Sequence, residues 1–213
     1  MTEHSAFFYG TLMSPEVLNR VIYNMPHVSK HHIDNIKSYP AILHNHRRHR
    51  VRGADYPAVI PISATDGFSG SGSNSSSVRG TYVTGLTSAN IYKLDLFEGE
   101  DYERRHVRIG LLEPASASST TTTTTPNDNE SLTGGKGDEK QQQVKLVETK
   151  QVDAQTYIWI AGPDELEDQE WDFARFRREK LRVWVSGDVY GEFAELDRAY
   201  QEKQRDGAAS NGV

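Results

Sequence analysis

The chain has no cysteine. Disulfides, thiolate metal sites and cysteine nucleophiles are thereby excluded, and the absence fits a reducing compartment. It also lacks a long apolar run, since nothing approaches the roughly 18 residues that a membrane helix needs. The opening MTEHSAFFYG has no basic region followed by an apolar stretch, so no signal peptide and a cytoplasmic location are expected. Excess positive charge is missing too. With 30 acids against 24 bases the net charge is −6, which offers no general attraction to nucleic acid or to a membrane surface. Apolar residues are scarce, at 36% with a mean hydropathy of −0.67, and the deficit is local. Residues 66–80, DGFSGSGSNSSSVRG, are rich in Gly and Ser and read as a flexible loop. Residues 113–143 form a longer polar insert that cannot offset its ordering entropy by burial. Residues 201–213 read as a disordered tail. Within residues 1–200, setting aside inserts at 66–77 and 113–143 leaves the size of one domain.

The ordered pieces follow from local pattern. Ala6–Tyr9 is a short apolar strand. Ser14, Pro15 and Glu16 make a helix start: a cap, a preset φ and an acid in the first turn. Leu18, Val21 and Ile22 give that helix one apolar face, and Asn24-Met25-Pro26 stops it. His32 to Val51 reads as extended, and Tyr56–Pro61 as an edge or bulged strand because of its prolines. Val78–Leu86 and His106–Leu112 alternate as strands. Thr87-Ser88 can cap a helix that runs to Phe97 or Glu98, with Gly99 behind it. Gln155–Ile160 reads as a strand and Trp171–Val185 as a continuous helix. Many strands with few helices in mixed order predict an α+β fold, a closed or curled sheet with helices packed outside.

Two places carry chemistry. The first is Tyr9-Gly10-Thr11-Leu12-Met13-Ser14. A strand ends, a glycine lets the backbone turn, and a helix begins, so free N–H groups from Gly10 to Met13 would face a ligand beside the positive end of that helix. Such a turn holds a carboxylate or a phosphate, although a plain connection has the same local sequence. The phosphate-loop pattern Gly-x-x-x-x-Gly-Lys is absent. The second place is LDLFEGEDYERRHV, residues 94–107. Ile91, Leu94 and Glu98 share a helix face, which puts a carboxylate among apolar residues at a helix C-terminus. Desolvation and the helix dipole both raise its pKa, and a Glu near neutrality can shuttle a proton. A solvated end-of-helix acid is the alternative. Asp95, Glu100, Asp101 and Glu103 read as solvated surface.

In combination these motifs resemble the gamma-glutamylcyclotransferase-like family, and within it the branch of plant avirulence-induced proteins. Tyr9-Gly10-Thr11-Leu12 matches the family's opening loop. Tyr56-Pro57-Ala58 matches its Tyr-Pro-Ala segment. Leu94-Asp95-x-Phe97-Glu98-Gly99-x-x-Tyr102-x-Arg104 matches its core motif, and Tyr157-x-Trp159 with Trp171-Asp172-Phe173 match elements towards the C-terminus. The resemblance implies a small mixed β-barrel with flanking helices. It implies that Tyr9, Gly10, Thr11, Leu12, Met13 and Ser14 bind a γ-glutamyl group, largely through backbone N–H groups. It implies that Glu98 is the catalytic acid/base, that Tyr102 lines the pocket, and that no metal and no organic cofactor are required. The reaction implied is attack of the substrate's own α-amine on its γ-carbonyl, giving 5-oxoproline and a free amine, an acyl transfer. A non-catalytic ligand-binding or interaction module of the same fold is the alternative.

Other features carry less. His44–Arg52 is locally basic and flanked by tyrosines, which allows an RNA-binding reading. It occupies the place of a basic strand in the family, so a small-molecule partner is expected and nucleic acid is not. The six histidines between His27 and His49 could suggest a metal site, with His44 and His46 on one strand face. Trp159, Trp171 and Trp184 read as core aromatics.

Overall fold

The computed structural model describes residues 3–24, 35–62, 77–115 and 145–186, together with 193, 196, 198 and 201. Its strands are β1 (His4–Phe8), β2 (Lys37–His44), β3 (His46–Val51), β4 (Pro57–Pro61), β5 (Ser77–Leu86), β6 (Tyr102–Pro114), β7 (Leu146–Trp159) and β8 (Leu166–Glu167). Its helices are α1 (Pro15–Tyr23), α2 (Ser88–Glu98), α3 (Phe173–Glu179) and α4 (Leu181–Ser186). The segment expected as an insert between β6 and β7 lies outside the described residues from 116 to 144, and so do residues 66–76 and most of the tail. Both expected insert boundaries shift slightly, because Ser77 already belongs to β5 and β6 continues to Pro114.

Five strands close into a barrel in the order β1-β5-β2-β6-β7. An odd ring cannot alternate direction all the way round, so one neighbouring pair must run parallel. That pair is β1 and β7, registered at Ala6 and Gln155. The seam is stitched by side chains as well: the Thr156 hydroxyl donates to the Phe7 carbonyl at 2.8 Å, and the Tyr9 hydroxyl to the Tyr157 carbonyl at 2.6 Å. Phe7, Leu43, Val59, Val78, Ile109 and Ile158 form one buried cluster. The apolar face of α1 (Val17, Leu18, Val21, Ile22) packs with Ile91 and Leu94 of α2, Phe176 and Trp184 in a second cluster outside the barrel. The α+β barrel with flanking helices read from the sequence is the fold observed.

A separate sheet, β4-β3-β8, puts the proline-bounded β4 at its edge, as its sequence requires. The stretch read as extended through Val51 is divided at Asn45, which adopts φ 58° and turns the chain between β2 and β3. His44 and His46 therefore do not share a strand face. His44 pairs with Glu148 at 2.8 Å, and His46 Nδ1 lies 2.8 Å from the His44 carbonyl oxygen. The helix expected over Trp171–Val185 is two helices. Asp172 caps α3 by accepting from the N–H groups of Ala174 and Arg175, which leaves Trp171 outside, and Lys180 at φ −119° separates α3 from α4. Trp159, Trp171 and Trp184 are all buried, as expected of core aromatics. Among the described residues no helix is long and apolar enough to cross a membrane.

Candidate active site

Each motif reaches the site by ordinary local rules. Strand β1 ends at Phe8, and Thr11–Met13 form a single 3-10 turn before α1. Gly10 must be a glycine here: a Cβ would sit 2.8 Å from Cγ and 2.9 Å from Cδ of the Pro57 ring. The loop and β4 are thus packed directly together. The N–H of Met13 donates to the Gly10 carbonyl at 3.0 Å, and that of Ser14 to the Thr11 carbonyl at 3.0 Å. This corrects the expectation of free N–H groups through Met13, because the 3-10 turn consumes that one. The N–H groups of Gly10, Thr11 and Leu12 have no hydrogen-bond partner among the described residues. Ser14 occupies the N-cap position of α1, but its hydroxyl donates to Glu16 Oε2 at 2.5 Å and not to the cavity side.

Helix α2 opens on a reciprocal cap between Thr87 and Asn90 and ends at Glu98. Gly99 follows at φ 69°, a left-handed conformation that favours glycine. Its N–H closes the last turn on the Asp95 carbonyl at 3.2 Å. The buried Ile91 and Leu94 share a face with Glu98, as their spacing requires. The chain then enters β6 at Tyr102.

Loop and helix end meet in one cavity of about 80 Å³, enough for several waters. Tyr9, Gly10, Thr11, Leu12, Glu98 and Tyr102 all line it, whereas Met13 and Ser14 do not. Three tyrosines surround Glu98, and each has committed its hydroxyl proton elsewhere. Tyr9 donates to the Tyr157 carbonyl, Tyr102 to the Pro57 carbonyl at 3.0 Å, and Tyr157 to Asp95 Oδ1 at 2.9 Å. Burial first, and then neighbouring negative charge, raise all three phenols above their ordinary range, so they remain neutral. Glu98 itself has no hydrogen-bond or ion-pair partner among the described residues. Its carboxyl is pushed up to about 8, by burial first and then by the charge of Asp95. It is partly exposed and lines the cavity. The site therefore brings to one small cavity a protonatable carboxyl and three residues whose N–H groups have no partner among the described residues.

Sequence reasoning missed part of this arrangement. Asp95 is not merely solvated: Arg104 grips it through Nε at 2.7 Å and Nη2 at 3.2 Å. Both residues stand in the core motif, and that was the available signal. Tyr56, Pro57, Phe97, Asp101, Tyr157 and Trp184 also line the cavity. Glu103, by contrast, pairs with Arg105 on the surface, as its reading required. Among the described residues no group of three or more His, Asp or Glu side chains could hold a metal ion.

Comparison with known proteins agrees with the motifs. The family described as gamma-glutamyl cyclotransferase, AIG2-like matches residues 6–173. Among curated relatives, Protein AIG2 C of Arabidopsis thaliana is 23% identical over 82% of this chain and 72% of its own length. AIG2-like protein D of the same plant is 27% identical over 92% of this chain and 91% of its own. A solution structure of an Arabidopsis thaliana protein aligns at 22% identity with a TM-score of 0.46, covering 87% of this chain and 88% of that one. A yeast gamma glutamyl cyclotransferase specific to glutathione aligns at 13% identity and TM-score 0.42, over 95% of each chain. At such scores the two structures add nothing to the strand order described above.

Proposed function

Because the chain belongs to the gamma-glutamyl cyclotransferase, AIG2-like family, we propose that it cyclises a γ-glutamyl compound to 5-oxoproline and releases an amine, with Glu98 as general acid/base. The observation that carries this reading is Glu98: an unpartnered carboxyl with a pKa of about 8, in a cavity lined also by Gly10, Thr11 and Leu12.

The chemistry follows from that placement. The N–H groups of Gly10, Thr11 and Leu12 take the substrate's α-carboxylate beside the start of α1. This folds the γ-glutamyl chain back on itself. Cyclisation is intramolecular, so holding the folded conformer supplies much of the acceleration. The α-ammonium then lies near Glu98. The α-amine of a γ-glutamyl compound stands beside a free carboxylate, which holds it above the roughly 7.7–8.0 of a peptide's α-amino group; a Glu98 carboxyl pushed up to about 8 narrows the gap that an ordinary carboxylate would leave, so the proton passes to it at lower cost. The bound ammonium also favours the carboxylate form of Glu98 while it is present. Glu98 takes the ammonium proton and the freed amine attacks the γ-carbonyl carbon. A C–N bond closes the five-membered lactam, and the bond to the leaving amine breaks as Glu98 returns the first proton to that nitrogen; the surplus proton of the ring nitrogen then passes through Glu98 to the released amine, which departs as an ammonium and leaves Glu98 a carboxylate again. Atoms and charge balance without a metal or an organic cofactor.

The partner in this reading is a small γ-glutamyl molecule in the cytoplasm, and neither nucleic acid nor a membrane. The commitment of Arg47, Arg48 and Arg50 on β3 to acceptors within the protein supports that choice. The test is incubation of the purified chain with γ-glutamyl amino acids, ε-(γ-glutamyl)lysine and glutathione, with 5-oxoproline read by mass spectrometry. Product from at least one of them, lost in Glu98→Gln, is the expected result. A folded parent that yields no product from any of them overturns the reading.

A further inference from the structure

The basic run on β3 takes no part in the proton chemistry, and most of its charge is accounted for at the surface. Arg47 Nη2 donates to the Asp168 carbonyl at 3.0 Å, and Arg50 Nη1 lies 3.4 Å from Glu167 Oε2 and donates to Gln169 Oε1 at 3.2 Å. Arg48 is different. Its side chain is only 11% exposed and its guanidinium lies over the Trp171 ring, 5.7 Å from the centroid. Nη2 donates to Glu170 Oε1 at 2.8 Å, and Nη1 donates to the Tyr9 carbonyl at 2.9 Å and to the Arg79 carbonyl at 3.4 Å. Its Nε–H is buried with no partner among the described residues. An arginine placed for surface charge would not leave a buried donor unmet.

The Tyr9 carbonyl is one end of the peptide whose other end is the Gly10 N–H. That peptide is trans and planar, so its two polar ends point in opposite directions. Drawing the carbonyl onto Arg48 sends the N–H the other way, and Gly10 lines the cavity while Arg48 does not. The hydrogen bond polarises the peptide and makes the N–H a better donor. The guanidinium also puts a full positive charge behind that donor, in surroundings that screen it less than water does.

We infer that Arg48 is a positioning residue for the opening loop. It holds the Tyr9–Gly10 peptide with its N–H turned to the cavity, and its charge lets the loop select a substrate that carries a free α-carboxylate. The inference rests on the γ-glutamyl reading above. It also gives the basic strand a role that composition alone left open between nucleic-acid binding and structure.

The test compares a γ-glutamyl substrate with its α-carboxamide counterpart, in which the carboxylate is replaced by a neutral group of similar shape. The parent prefers the carboxylate, and Arg48→Met shrinks that preference about tenfold, chiefly through KM and with kcat little changed. A purely structural lesion would lower both substrates alike. Glu170→Gln is the second variant. Glu170 is exposed at 65%, and Gln keeps the acceptor for Arg48 while removing the charge that offsets it. Its expected effect is a KM for the carboxylate substrate lowered about two- to threefold, a gain that damage to the fold does not produce. If Arg48→Met fails to fold, Glu170→Gln decides the matter. An unchanged preference in folded Arg48→Met, or an unchanged or higher KM in Glu170→Gln, overturns the role of Arg48 while leaving the cyclisation intact. A parent that neither forms nor binds 5-oxoproline overturns both.

Discussion

Arg104 holds Asp95 in a two-pronged grip, at 2.7 and 3.2 Å, one helical turn before Glu98. The charge on Asp95 is, after burial, the second cause of the raised Glu98 pKa, and Arg104 offsets part of it. Asp95→Asn should therefore move the acidic limb of the pH profile for 5-oxoproline formation to lower pH. Arg104→Gln, which leaves Asp95 uncompensated, should move it to higher pH. The profile of kcat/KM against pH checks both. Limbs that stay in place in both variants would separate Asp95 from the proton chemistry.

Glu98 should cost the fold stability at neutral pH and above. In the unfolded chain its carboxyl ionises near 4.5, and in the fold near 8. Between those values the fold keeps a proton that the unfolded chain has released, so stability falls as pH rises through that window. Glu98→Gln removes the effect. The variant should exceed the parent in stability at pH 8 or above by on the order of a few kcal/mol, with the difference vanishing below the unfolded value. Thermal unfolding across the window reads it. The same variant should lose at least about 100-fold in kcat.

Gly10→Ala should damage the site through Pro57. The added Cβ meets the Pro57 ring at 2.8 Å, and a proline ring has no flexible end that can swing aside. The Pro57 carbonyl accepts from Tyr102, so a shift of Pro57 moves that cavity wall as well. The expected loss is about 1–3 kcal/mol in stability, together with a higher KM. Chemical denaturation and steady-state kinetics measure the two parts.

Thr87→Ala gives a contrasting result. It removes the Oγ1 that accepts from the Asn90 N–H at 3.2 Å, a cap worth about 1 kcal/mol. Stability should fall by that amount in denaturant titration. The pH profile should stay where it is, because the cap lies at the far end of α2 from Glu98.

Much of this site could be read from spacing alone. Gly99 ends α2 where a left-handed residue was expected, and the Ile91–Leu94–Glu98 face is the one that turns inward. What escaped the sequence depended on partners far along the chain. Asp95 looks like any helix-surface acid until Arg104 and Tyr157, from two barrel strands, are brought to it. The first half of β7, Leu146 to Asp153, is mostly exposed, so it lacks the apolar alternation that marks a strand. Its pairing with β6 supplies the missing signal. The turn at Asn45 and the break at Lys180 are single-residue conformations, invisible to periodicity. Met13 shows the converse. A row of free N–H groups through that residue fails because a 3-10 turn forms within the loop itself.

The central physical claim is that one carboxyl in this cavity changes charge near neutral pH. A titration of the Glu98 side-chain carboxyl by carbon-13 NMR tests it most directly, with Glu98→Gln used to assign the signal. A midpoint near 8 is the predicted result. A midpoint in the ordinary carboxylate range, about 4.3, would make Glu98 a solvated helix-end acid and remove the proton shuttle from the account.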